Sequence, residues 1–132
     1  MLSGTQTKII AFFNENKESL VREWESSIVI SNGDPYKEKI RENGIAIFNV
    51  ILTMHTMSEE ELLEIIKKYA LEISEERALA NINIGDFVYN VNLGRSVFYS
   101  YLHRAGLQWE DFQESINKIN YTFDTFLYYA VT

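Results

Sequence analysis

Arg95 projects from an otherwise apolar helical stripe, and that placement is the strongest chemical signal in the chain. Between Ile84 and Arg104 the sequence reads as one long helix. At roughly 100° per residue, Ile84, Phe87, Val88, Val91, Phe98 and Leu102 fall on one face with Arg95 in its middle. A guanidinium in a dry interior costs several kcal/mol unless an anion or several acceptors meet it. Either an internal carboxylate, Asp86 or Asp124, pairs with it inside an inert bundle, or the stripe lines a pocket that receives a negatively charged guest. The second reading is favoured, because little else in the middle of that helix is polar. Tyr99, Asn92 and Ser96 lie within helical reach and could complete an anion-binding corner.

Two further polar residues occupy apolar faces. His55 shares helical angle with Ile51 and Phe48; it either bonds a backbone carbonyl at the core edge or stands at a pocket mouth, coupling binding to pH. Arg77 follows Ile73 by four residues and either turns inward or belongs to a solvated helix start. The expected site is therefore Arg95, His55, Tyr99, Asn92 and Arg77, walled by Phe48, Ile51, Val91 and Phe98.

Catalysis has no visible apparatus, and the chain is expected not to be an enzyme. No nucleophile–base spacing and no Gly-rich phosphate loop can be found. There is no Cys, which excludes disulfides, thiolate chemistry and Cys-held metals. The two histidines, His55 and His103, lie on different helices and read as ordinary positions rather than metal ligands. The acidic run at Glu59, Glu60, Glu61 and Glu64 and the pair Glu75–Glu76 are placed to favour helix dipoles. A formal charge of -7 argues against nucleic acid and anionic membranes. The N-terminus has no signal-peptide pattern, and no apolar run approaches the roughly 20 residues that span a bilayer. The expectation is a soluble, cytoplasmic, single domain over 1–132.

The elements that must position these residues are all helical, since the chain has one Pro, six Gly and helical periodicity throughout. The first region runs from about Thr5 to Ile30, carrying Ile9, Phe12, Phe13, Leu20, Trp24 and Ile28, with a break near Asn14-Glu15-Asn16. A turn at Ser31–Pro35 places Asp34 as N-cap and Pro35 at the first helical position. The next helix covers about Pro35 to Thr56 and buries Ile40, Gly44, Ile47, Phe48, Ile51 and His55. Ser58 to Glu61 forms a capping box for a helix with Leu62, Ile65, Ile66, Tyr69 and Ile73 inward. A second capping signal at Ser74–Arg77 predicts a separate short helix from Glu75 to Asn81. Gly106 stops the long Ile84–Arg104 helix. A last helix, from about Gln108 to Ala130, aligns Trp109, Phe112, Ile116, Ile119, Phe123, Phe126, Leu127 and Ala130.

The last two helices carry a second apolar face. Tyr89, Leu93, Val97 and Tyr101 lie on one, and Tyr121, Tyr128 and Tyr129 on the other. A helix apolar almost all round is buried on more than one side. A homodimer through Leu93, Val97, Tyr101, Tyr121 and Tyr128 is the expected consequence.

Leu20-x3-Trp24 within Leu20-Val21-Arg22-Glu23-Trp24-Glu25, Arg77-Ala78-Leu79-Ala80 ahead of a long helix, and the aromatic last helix together resemble a known family. They are similar to the haem-less globin-like sensor domains of Bacillus signalling proteins: the sporulation sensor histidine kinases, their stand-alone sporulation inhibitory forms, and more distantly the stressosome co-antagonist. The likeness covers essentially the whole chain and rests mostly on helix order and length. It implies an all-α, globin-like fold without haem, a homodimer through the last two helices, and an apolar tunnel taking a fatty acid with a halide ion nearby. It also implies inhibition of sporulation, by competing for a sensor kinase's ligand or by pairing with the kinase. Haem would need an imidazole on the short helix before Ile84, and Glu75–Asn83 contains none.

Overall fold

A computed structural model describes residues 4–28, 37–80 and 83–131, the side chains of residues 5, 6, 37–40, 55 and 80 excepted. Among the described residues the fold is all-α, as expected. The helices are α1 (Gly4–Glu15), α2 (Lys17–Ser27), α3 (Lys37–Thr53), α4 (Glu59–Ala80), α5 (Ile84–Arg104) and α6 (Trp109–Val131), with a 3₁₀ turn at Met54–Thr56. The turn expected at Ser31–Pro35 lies outside the described residues.

Local chemistry sets most of these boundaries. The break between α1 and α2 falls at Asn16, whose side-chain amide donates to the Phe12 carbonyl at 2.8 Å; a short polar side chain there competes with the helical ladder. Ser58 opens α4, its hydroxyl accepting from the Glu61 amide at 3.2 Å. Asn83 does the same for α5, taking the Asp86 amide at 3.1 Å. After α5 the chain turns at Gly106, whose φ of 67° is the left-handed conformation that glycine adopts without penalty. Lys8 on α1 donates to the Gly106 carbonyl at 3.2 Å, tying the first helix to this turn.

One expected boundary is absent. Ser74–Arg77 does not begin a new helix, because α4 continues unbroken to Ala80. Ser and Glu in that stretch can cap, but no Gly or Pro precedes them to end the helix, and its α6-facing side stays apolar through Ala70 and Ile73.

The core is aromatic and centres on Phe98. Its ring lies 5.5 Å from Phe13 of α1, 5.5 Å from Phe48 of α3 and 5.9 Å from Phe123 of α6. Such pairs add about 0.5–1.5 kcal/mol each beyond area burial, so one residue joins four helices. α6 packs along both α4 and α5, presenting Ile119, Phe123, Phe126 and Ala130 as buried residues. Trp109, expected in that stripe, is instead 69% exposed. It is the first residue of α6 and stacks on Phe112 at 6.0 Å.

Replacing Asn83 with Ala removes the cap of α5 and should lower stability by about 1 kcal/mol. Urea denaturation with an unchanged slope and a lower midpoint is the expected result.

Candidate functional site: an apolar cavity beside Trp24

The expected anchor is paired within the chain. The Arg95 stem is buried, with the side chain 17% exposed, but its Nη1 reaches Asp124 Oδ1 on α6 at 2.8 Å. The same nitrogen lies 3.4 Å from Asn120 Oδ1, an oxygen that also accepts from the Tyr99 hydroxyl. The guanidinium stands 5.4 Å from the centre of the Phe123 ring. The guanidinium is thus mostly covered, its Nε buried without a hydrogen-bond partner, and only the paired carboxylate is open to water, at 68% exposed. Of the two arrangements the sequence left open, the structure shows the internal pair with Asp124.

The reason lies one residue away. The inward line of α5 runs through Phe87, Val91, Gly94 and Phe98, and Arg95 is turned about 100° from Gly94, towards α6. Glycine contributes nothing to a hydrophobic pattern, so the centre of the stripe was assigned to its neighbour.

That inward line walls a cavity of about 110 Å³. Leu20, Val21 and Trp24 close it from α2, and Asn43, Gly44, Ile47 and Phe48 from α3. Ile73 of α4 and Phe123 and Phe126 of α6 complete it with the α5 residues, which include Asn90. None of the described residues lining it is charged. Asn43 donates to Glu76 Oε2 at 2.9 Å, and Asn90 is buried.

Trp24 is the residue around which the cavity is built. Its indole N–H donates to the Asn90 carbonyl at 2.9 Å, and its ring occupies space left by two glycines. A methyl group on Gly44 would meet Trp24 at 2.2 Å, and one on Gly94 would lie 3.5 Å from the indole nitrogen. Helix interiors disfavour glycine by about 1 kcal/mol relative to alanine, so two in register with one indole mark a close approach of ring to backbone. An isolated glycine inside a helical pattern is the sequence signal that could have found this site.

Of the other expected site residues, Phe48, Val91 and Phe98 line the cavity, whereas Ile51 is buried in the core and not on its wall. Asn92 and Ser96 are exposed. Arg77 does turn inward, from the last turn of α4 rather than from a helix start. Its guanidinium lies 5.6 Å from the Phe87 ring and Nη2 is 3.5 Å from the Ala130 carbonyl. The side chain of His55 lies outside the described residues. His103 is exposed and stacks on Phe112 at 4.7 Å.

The expected dimer residues divide. Tyr121 and Tyr128 are 40% and 62% exposed, and Tyr89 is 54% exposed; Leu93 is half-buried. Val97 and Tyr101 are buried at 8% and 2%, which corrects their assignment to a surface. Tyr101 is held inside by a 2.5 Å hydrogen bond between its hydroxyl and Ser19 on α2, so α2 of the same chain covers the Tyr101 part of that face.

Residues 6–132 match the family described as histidine kinase N terminal. The chain belongs to that family. The pXO2-61 protein of Bacillus anthracis is 29% identical over 120 residues, spanning 91% of this chain and 87% of that protein. The crystal structure of the sporulation inhibitor pXO2-61 from the same organism superposes with a TM-score of 0.83 at 27% identity, covering 93% of this chain and 92% of that one. No helix among the described residues is long and apolar enough to cross a membrane.

The two glycines should respond oppositely to alanine. Gly44→Ala overpacks the indole and should cost about 1–3 kcal/mol. Gly94→Ala meets only ordinary contacts and should be neutral or stabilise by up to about 1 kcal/mol. Thermal unfolding of the pair checks this, and equal effects would show that the indole is not held between them.

Proposed function

We propose that this chain is a sensor domain that takes a fatty-acid-like guest, acyl tail first, into the cavity beside Trp24. Through that binding it restrains sporulation signalling, competing with or pairing to a sensor histidine kinase. The observation that carries the reading is the uncharged, aromatic-walled cavity at the meeting point of α2, α3, α5 and α6. A void of this kind forfeits dispersion contacts, and an apolar guest restores them. Membership of the kinase N-terminal family supports the sensor role. The likeness to a sporulation inhibitor supports the direction of the effect.

The Arg95–Asp124 pair removes the main reason for a carboxylate or halide anchor at Arg95, so the reading rests on the tail rather than on the head of the ligand. The same pair favours a second reading, a ligand-free interaction module. Native mass spectrometry of the purified protein separates them: a retained mass matching an aliphatic acid supports the sensor, and clean apo protein supports the module. Val91→Phe fills the cavity and should abolish the retained mass. The stripped variant should be about 0.5–2 kcal/mol more stable than stripped wild type.

The reading includes a homodimer, supported by Tyr89, Tyr121 and Tyr128 exposed on α5 and α6. Sedimentation at micromolar concentration should show a dimer, and the double replacement Tyr121→Glu with Tyr128→Glu should give monomer of unchanged helicity. A dimer that survives both changes would place the interface elsewhere.

A further inference from the structure

The cavity is small for a fatty-acid site. Its 110 Å³ is below the roughly 150 Å³ of an engineered apolar cavity that holds benzene, and well below the roughly 300 Å³ at which ligand pockets begin. The largest side chain on its wall is the Trp24 indole, and that ring is not free to yield. Its N–H is bonded to Asn90 at 2.9 Å, one face of its slot is the Gly44 backbone, and the other is Gly94. A ring bonded at its N–H and pressed against the Gly44 backbone is a fixed part of the wall, and it limits the room an acyl chain can take.

We propose that Trp24 is a length gauge: with the indole seated between Gly44 and Gly94, the cavity accepts short aliphatic acids or similarly small apolar molecules and excludes long-chain ones. This rests on the sensor reading and names its ligand class. Because no described lining residue is charged, selection among homologous chains is steric. Each methylene that enters adds about fourfold in affinity, until the chain meets the indole. Beyond that length further methylenes stay in water or force the ring from its slot, and the gain stops.

Isothermal titration with sodium butanoate, hexanoate, octanoate, decanoate and laurate, each below its micelle concentration, tests this. For wild type the affinity should climb and then level or fall from about octanoate. In Trp24→Ala the climb should continue through laurate, which should bind at least tenfold more tightly than to wild type. Trp24→Phe keeps most of the packing and should level off at an intermediate length, which preserves the test should the alanine variant not fold. Trp109→Ala removes an exposed indole outside the cavity and should keep the wild-type profile. A wild-type affinity that rises unbroken to laurate, or a levelling point that Trp24 variants do not move, overturns the gauge and leaves the sensor reading standing. Failure of every chain to bind both wild type and the variants overturns the two together.

Discussion

The indole of Trp24 can reach the α5 backbone because α3 presents no side chain where it lies. Its donor is satisfied by the Asn90 carbonyl, and its ring rests against the bare backbone of α3 at Gly44. Protein interiors normally close to crystal-like density, so a persistent void needs something rigid to keep its walls apart. A flat, hydrogen-bonded ring seated between α3 and α5 serves as that spacer. The remaining architecture follows: Phe98 gathers rings from three other helices, and Phe126 of α6 joins Phe123 on the cavity wall.

Charge is kept off the cavity wall but not out of the interior. Arg95 lays its guanidinium near Phe123 and pairs with Asp124. Arg77 lays its guanidinium near Phe87 and bonds a helix-end carbonyl. Both cations thus border aromatic rings of the wall, each with a buried Nε, and none of the described residues lining the cavity is charged. The positive charge that appeared to be the centre of the site is part of its casing.

The helices were legible because their signals are local. Ser58, Asn83 and Gly106 act within a few residues of themselves, and the apolar positions of α3, α4 and α6 recur at helical spacing. The site was less legible because its key residues carry weak or misleading signals. Gly94 is silent in any hydrophobic pattern, so the stripe on α5 was centred one position too far along, on Arg95. Val97 and Tyr101 read as a free surface, since the sequence of α5 does not reveal that α2 lies across it. The continuous α4 was divided because Ser74-Glu75-Glu76 has the composition of a cap; only the packing of that region against α6 decides that the helix runs on.

The contact between Gly44 and Trp24 also bears on how such a chain can diverge. A side chain at position 44 strains against an indole at position 24, because its first carbon would stand 2.2 Å from the unshifted ring. Substitution at 44 is therefore easier after shrinkage at 24, whereas position 94 has slack for a methyl group. Lineages descending from a common ancestor would more readily pass through a smaller residue at 24 before gaining bulk at 44, since the reverse order carries that strain. Positions 24 and 44 should therefore co-vary as a coupled pair with a favoured order of change, while 94 drifts more freely.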